Sequence, residues 1–225
     1  METTDTTTAG RVTLDYTALF EALWPDADAH CYLEAAGMNG REWFRRFRSG
    51  WRQLGAFKFG QEPGLERLVA LAGGADLSFA TILRSQPAAG APVKPLAFLW
   101  AGIPLRLEPK RLHDPGLRLV VGETERVLTQ LAAAPVPPSA TLHEGHRLVG
   151  LWALATPLEV SAARLPLTRL ARVFGGDHEL ADPDRATLGL PGSIVSSLFP
   201  QFTVRANATQ PLRRVAIEDL ERWLA

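Results

Sequence analysis

The first half of the chain alternates short helical patterns with apolar runs of strand length. Asp15 is placed to cap a short helix that runs through Trp24 and stops at Pro25. Gly64–Ala72 has apolar residues at helical spacing and ends at two glycines. Leu77–Arg84 and Leu96–Ile103 predict strands, and the second is apolar throughout, which is typical of a strand buried on both faces.

The second half predicts further alternation of strand and helix. The predicted helices are Gly122–Ala134, Pro157–Phe174 and Ala216–Leu224, and the predicted strands are Ser139–Leu142, Arg147–Leu154 and a short one after Val204. A strand, a crossover helix and a second strand are typical of a layered α/β domain. With no internal repeat and no clear linker, we expect residues 1–10 to be a flexible polar N-terminus. Residues 11–225 then form one domain, with room for two lobes.

Composition excludes several classes of protein. Of 225 residues, 46% are hydrophobic, and 24 Lys+Arg balance 24 Asp+Glu, which excludes a disordered chain, a collagen-like fibre and a uniformly basic coat. The apolar runs are too short to span a bilayer, and the first residues lack the features of a signal peptide, so we expect a cytoplasmic protein with no membrane partner. The single cysteine, Cys31, excludes an internal disulfide and is best interpreted as a buried thiol.

Positive charge is concentrated in residues 41–58, which hold six Arg or Lys and one acid. Arginines interleaved with aromatic rings can bind the phosphates and stack on the bases of a single-stranded nucleic acid. The candidate binding residues in this segment are Arg41, Trp43, Arg45, Arg46, Arg48, Trp51 and Arg52. The rings at Trp43, Phe44, Phe47 and Trp51 also fit one face of a helix, so a purely structural role for them stays open.

Common catalytic motifs are absent. The sequence has no Gly-rich phosphate loop of either usual kind and no Gly-x-Ser-x-Gly elbow. His143 and His146 flank Glu144 in a predicted turn, but without a further ligand nearby a structural role is favoured over a metal site. We therefore predict no metal site and no cofactor.

Several strings resemble the primase-polymerase domain of the archaeo-eukaryotic primase superfamily, of the type carried by bacterial plasmids and phages. The matching strings are Leu99–Pro104, Pro137–Ser139 leading to Glu144–Trp152, Gly175–Asp177, Asp182–Arg185 and Gly189–Ser193. The resemblance covers the chain from about Trp24 to its end. It implies an α/β primase core with mixed central sheets flanked by helices.

The resemblance also shows which of the family's functional positions are changed. The family's two metal-binding carboxylates fall on Gly102 and Pro104, its triphosphate-binding histidine on Val149, and an arginine on Gly189. Asp177 matches the family's third acid. Carboxylates at i and i+2 of a strand point to one face and hold divalent ions, whereas glycine and proline offer no side-chain oxygen. The resemblance thus implies a nucleotidyl-transfer centre that has lost its metal ligands.

Three functions follow from this interpretation. The first is a non-catalytic protein of a replication system that binds single-stranded DNA or RNA, with Arg185 lining the former cleft. The second is a module that docks on a helicase, an active primase or a second copy of itself through an apolar face at Gly102, Pro104 and Val149. The third is an active enzyme with relocated ligands, for which Asp76, Glu108 and Asp114 are the available acids. The sequence predicts no oligomeric state.

Overall fold

The computed structural model describes residues 11–25, 28–35, 52–59, 62–71, 73–88, 90–109, 117–198, 200–209 and 211–225. The helices in this part of the chain are α1 (Tyr16–Leu23), α2 (Glu62–Leu71), α3 (Glu123–Ala132), α4 (Val160–Phe174) and α5 (Ile217–Leu224). The strands are β1 (Arg11–Leu14), β2 (His30–Ala35), β3 (Arg52–Lys58), β4 (Leu77–Ala80), β5 (Leu96–Pro104), β6 (Leu107–Pro109), β7 (Leu117–Leu119), β8 (Ala140–His143), β9 (Arg147–Leu158), β10 (Thr187–Gly189), β11 (Ile194–Val195), β12 (Phe202–Thr203) and β13 (Arg205–Thr209). None of the helices in these ranges is long and apolar enough to span a bilayer.

Two sheets form the centre of the fold. One has five strands in the order β1-β13-β8-β9-β5, and the other has four in the order β10-β4-β2-β3; two-stranded ribbons β11-β12 and β6-β7 lie beside them. Neighbouring strands of both sheets pair antiparallel. The predicted α/β fold of central sheets flanked by helices is confirmed.

The helix α3 connects two strands that are not neighbours in the sheet. β5 and β8 both pair antiparallel with β9, which lies between them. β5 and β8 are therefore parallel to each other and are separated by one strand. The predicted strand, crossover helix and strand are therefore present, but β9 completes the unit as a hairpin with β8. This hairpin turn contains Glu144, Gly145 and His146.

Each face of the five-stranded sheet is covered by a different layer. On one face, Phe98 of β5 packs on Trp24 with ring centroids 5.3 Å apart, and Phe20 of α1 meets Phe79 of the second sheet at 5.0 Å. On the other face, Trp152 of β9 packs on Phe174 of α4 at 5.8 Å. Burial of these large rings supplies much of the hydrophobic stabilisation of the core.

Several predicted element boundaries are confirmed, and two are wrong. The Asp15 carboxylate accepts a hydrogen bond from the Ala18 N–H at 2.8 Å, as predicted for the cap of α1. The strand predicted to reach Arg84 ends at Ala80. The next residue, Thr81, turns away from the strand, and its hydroxyl donates to the Pro183 and Ala186 carbonyls. Pro157 does not begin a helix: β9 continues to Leu158, which pairs with Leu96 of β5.

Candidate functional site

The positions that the sequence motifs single out meet where β5 and β9 pair. Gly102 lies directly opposite Val149, and Pro104 lies opposite Arg147. Directly opposed residues on antiparallel strands point to the same face, so all four share one face of the sheet. Gly102 and Val149 are buried, whereas Pro104 is exposed. An accessible apolar docking face was expected at Gly102, Pro104 and Val149, but only Pro104 is accessible.

The Gly-Gly-Asp string places an acid beside Gly102. Gly175 ends α4 in the left-handed conformation, with φ of 60°. A Cβ on Gly176 would lie 2.4 Å from the Gly102 carbonyl oxygen, so only glycine permits this approach. The Asp177 N–H then donates to that carbonyl at 3.0 Å. The string therefore locks the end of α4 onto β5 and fixes the position of Asp177.

The side chain of Arg147 lies between two acids, Glu144 and Asp177. Arg147 Nε donates to Glu144 Oε2, and Nη2 donates to the Thr187 carbonyl at 3.1 Å. Its Nη1 lies 3.9 Å from Asp177 Oδ2. We call Glu144, Arg147 and Asp177 the Arg147 cluster. The Glu144 side chain is only 3% exposed and that of Arg147 15%, so their ion pair is largely withdrawn from water.

A backbone N–H also hydrogen-bonds the Glu144 carboxylate. The Gly189 N–H donates to Glu144 Oε1 at 2.7 Å. A Cβ on Gly189 would lie 3.1 Å from Glu144 Cγ, which is a tight contact. The close packing of Glu144 therefore favours glycine at position 189. The family's arginine falls on this position, and a large side chain here would displace Glu144.

Leu180 and Arg147 pack over Gly102. A Cβ on Gly102 would meet Leu180 Cδ2 at 3.5 Å and Arg147 Cδ at 3.6 Å, which is ordinary van der Waals contact. Trp100 Nε1 donates to the Leu180 carbonyl at 2.7 Å and holds that turn against the strand. Leu180 and Arg147 therefore cover the glycine at position 102 on this face of the sheet.

The two histidines of the hairpin serve local structure. His143 Nδ1 accepts from the Gly145 N–H at 3.0 Å, so Nε2 carries the proton and donates to Thr124 Oγ1 at 3.0 Å. Burial, reinforced by Arg205, lowers the pKa of His143 to about 4. His146 Nδ1 donates to the Glu144 carbonyl at 3.1 Å, and burial together with Arg147 lowers its pKa as well. Both rings are neutral near pH 7.

The residues at this site do not fit the divalent cations that the primase family implies. Gly102 and Pro104 have no side-chain oxygen, and the cation that Glu144 and Asp177 face is the Arg147 guanidinium. Across the residues that the structure describes, no three His, Cys, Asp or Glu side chains converge as a possible metal site.

Other predicted residues lie apart from the cluster or outside the description. Arg185 is 85% exposed and lies 3.9 Å from Asp182, without contacting the Arg147 cluster. Glu108 pairs with Arg118 at 2.7 Å, and Asp76 hydrogen-bonds Ser196. Cys31 is buried, as predicted, and burial raises the pKa of its thiol. The positions outside the described residues are Asp114, Arg41, Trp43, Arg45, Arg46, Arg48, Trp51 and the side chain of Arg52.

Solved structures share this arrangement of sheets and helices. The AEP domain of the cyanophage S-2L primase-polymerase matches with a TM-score of 0.61 at 14% identity, over 92% of this chain and 95% of that domain. The chain has an archaeo-eukaryotic primase fold. The catalytic domain of primase RepB′, solved in complex with initiator DNA, matches with a TM-score of 0.55 at 11% identity, over 93% of this chain and 94% of that one. No protein-family model and no curated protein matches the sequence.

Within the primase fold, the residues that sequence reasoning missed are Glu144 as an ion-pair partner and Arg147. The sequence predicted Glu144 in a turn and Arg147 at the start of the following strand, and their separation of three residues was the available signal. The turn at Gly145, with φ of 79°, folds the two side chains onto each other instead of onto opposite faces of a strand. The primase motifs indicated where the site lies but not that an arginine fills it.

Proposed function

We propose that this protein is a primase-like component of a DNA replication system that binds single-stranded nucleic acid and does not transfer nucleotides. The observation that carries the proposal is the position of Arg147, whose guanidinium lies between Glu144 and Asp177. Its Cδ lies 3.6 Å from the place where a Cβ on Gly102 would be. In this fold the family's metal-binding carboxylates fall on Gly102 and Pro104. A built-in cation thus stands where the resemblance implies divalent ions.

Energetics support a lasting loss of metal chemistry. Nucleotidyl transfer by this family relies on divalent ions that bind the attacking and leaving oxygens. To bind such an ion, the cluster would have to give up the Arg147 guanidinium, whose ion pair with Glu144 is largely withdrawn from water. Asp177 would then remain with no carboxylate from β5 beside it. The Arg147 guanidinium would therefore compete with a metal ion for the two carboxylates.

Nucleic-acid binding is supported by charge and fold. The basic segment 41–58 concentrates six cationic residues and five aromatic rings in a chain with no net charge. The RepB′ catalytic domain, which has the same fold, was solved with initiator DNA. We place the principal contacts of this protein at Arg41, Trp43, Arg45, Arg46, Arg48, Trp51 and Arg52, and we propose no membrane partner.

Two assays test the two halves of the proposal. Incorporation of labelled nucleotides on primed and unprimed templates, with Mg²⁺ and with Mn²⁺, should not exceed that of a buffer control. Incorporation that disappears in the Asp177→Ala variant would instead establish an active enzyme with unusual ligands. Silence in both metals leaves the non-catalytic function standing.

Binding of a fluorescent single-stranded oligonucleotide should be detectable at low salt and weaken steeply as salt rises. Arg46→Glu should weaken it, whereas Arg118→Glu, on the β6-β7 ribbon, should not. Absence of binding at low salt would overturn the proposal. Co-purification of a helicase or a primase with the chain, together with absence of DNA binding, would favour a docking module.

A further inference from the structure

A groove beside α5 has an excess of positive charge in its lining. It has a volume of about 690 Å³ and lies between α5, the loop after α3 and residues 213–216. Its charged lining residues are Arg213, Arg214, Arg222 and Asp219, a net charge of +2. Glu218 and Glu221 belong to the same helix but do not line the groove.

The groove and the Arg147 cluster lie on opposite faces of the sheet. Val149 shares the face of Gly102, and Trp152, three residues further along β9, points to the other face. Trp152 Nε1 donates to the carbonyl of Val136, which lines the groove, at 2.8 Å. The groove is thus a separate site from the former catalytic cleft.

Arg213 and Arg214 are held in place by backbone carbonyls, and no acid among the residues that the structure describes forms an ion pair with them. Arg213 donates to the Pro137 carbonyl at 2.8 Å, and Arg214 donates to the Leu154 and Ala22 carbonyls at 3.0 and 2.9 Å. Carbonyl acceptors orient a guanidinium but leave its full charge. By contrast, Arg222 pairs with Asp219 at 3.1 Å, and both side chains are more than half exposed. Such an exposed pair is weak and can exchange its acid for a phosphate.

The backbone around the groove is fixed before any ligand arrives. The Val215 N–H donates to the Ala153 carbonyl at 2.8 Å, and the Ala155 N–H donates to the Val215 carbonyl at 2.8 Å. Trp223 packs edge-on against Phe174 at 5.9 Å and is only partly buried, so part of its ring lines the groove. A preformed site loses less conformational entropy on binding.

We propose that this groove binds the phosphodiester backbone of a single-stranded nucleic acid, with Arg213 and Arg222 on phosphates and Trp223 against a base. The arginines match a polyanion, and the aromatic surface favours a nucleic acid over an acidic peptide. The proposal rests on the proposed function and adds a second contact surface to it. A strand engaged there would pass behind the sheet, away from the Arg147 cluster.

Matched charge variants of the full chain test this groove. Arg222→Glu should weaken oligonucleotide binding by about tenfold at low salt and lower the salt slope by about 0.7. Asp219→Asn should strengthen binding, a gain that misfolding cannot produce. The controls are Arg118→Glu and Glu108→Gln, which alter another exposed Arg–acid pair and should leave binding unchanged.

Each outcome bears on a distinct claim. If the native chain binds but Arg222→Glu and Asp219→Asn leave its affinity unaltered, the groove proposal is overturned and the proposed function stands. If Arg118→Glu weakens binding as much as Arg222→Glu does, the effect is one of overall charge, and the groove is again excluded. If the native chain binds no oligonucleotide at low salt, both proposals fail. Equal displacement by polyglutamate of the same charge would overturn the choice of nucleic acid as the ligand.

Discussion

Replacing Arg147 by methionine keeps most of the side-chain stem but removes the cation that faces Glu144. The Glu144 side chain is 3% exposed, so its carboxylate would stay buried with the Gly189 N–H as its remaining close donor. Leaving one member of a buried ion pair uncompensated costs about 3–5 kcal/mol. For a chain of this size that corresponds to a fall in Tm of roughly 6–20 °C. Urea unfolding followed by tryptophan fluorescence measures the change in the free energy of unfolding.

The controls separate this charge effect from lost packing. The double variant Glu144→Gln/Arg147→Met removes the stranded charge and should recover most of the stability. Arg118→Met breaks an exposed pair with Glu108 and should cost at most about 1 kcal/mol. A loss in Arg147→Met no larger than that in Arg118→Met would refute the account of the cluster.

Two further predictions concern the elements that hold the site. Gly176→Ala should destabilise the fold by about 1–3 kcal/mol or more, because its Cβ would lie 2.4 Å from the Gly102 carbonyl oxygen; a Tm equal to that of the native chain would contradict the close approach. The pKa of His143 is lowered to about 4, so the unfolded chain binds more protons between about pH 4 and its ordinary pKa of 6.5. Stability should therefore rise with pH across this window, by up to about 3 kcal/mol from His143. His143→Asn, which keeps an acceptor for the Gly145 N–H, should flatten that part of the profile, and an unchanged profile would show that another group is responsible.

Local patterns were sufficient to predict several elements, and the resemblance to the primase family indicated where the site lies. The apolar run from Leu96 to Ile103 predicted a buried strand, and Asp15 predicted the start of α1, because both depend on neighbours in the chain. The family's motif positions Gly102 and Val149 prove to be directly opposed in the sheet. The strands β2 and β3 were not predicted, because β2 pairs with both β3 and β4 and these partners are distant in sequence.

The amino-acid sequence alone predicted an α/β domain from short-range patterns and, through its resemblance to a family, a primase-like fold; it also shows directly that positions 102 and 104 carry no side-chain oxygen. It does not reveal that Arg147 turns onto Glu144 and approaches Asp177, because that contact needs a hairpin, the end of α4 and the strand β10 to converge. The same is true of the groove at Arg213 and Trp223, whose walls come from three separate parts of the chain. Charge and burial at these places arise from long-range packing, which no local pattern encodes.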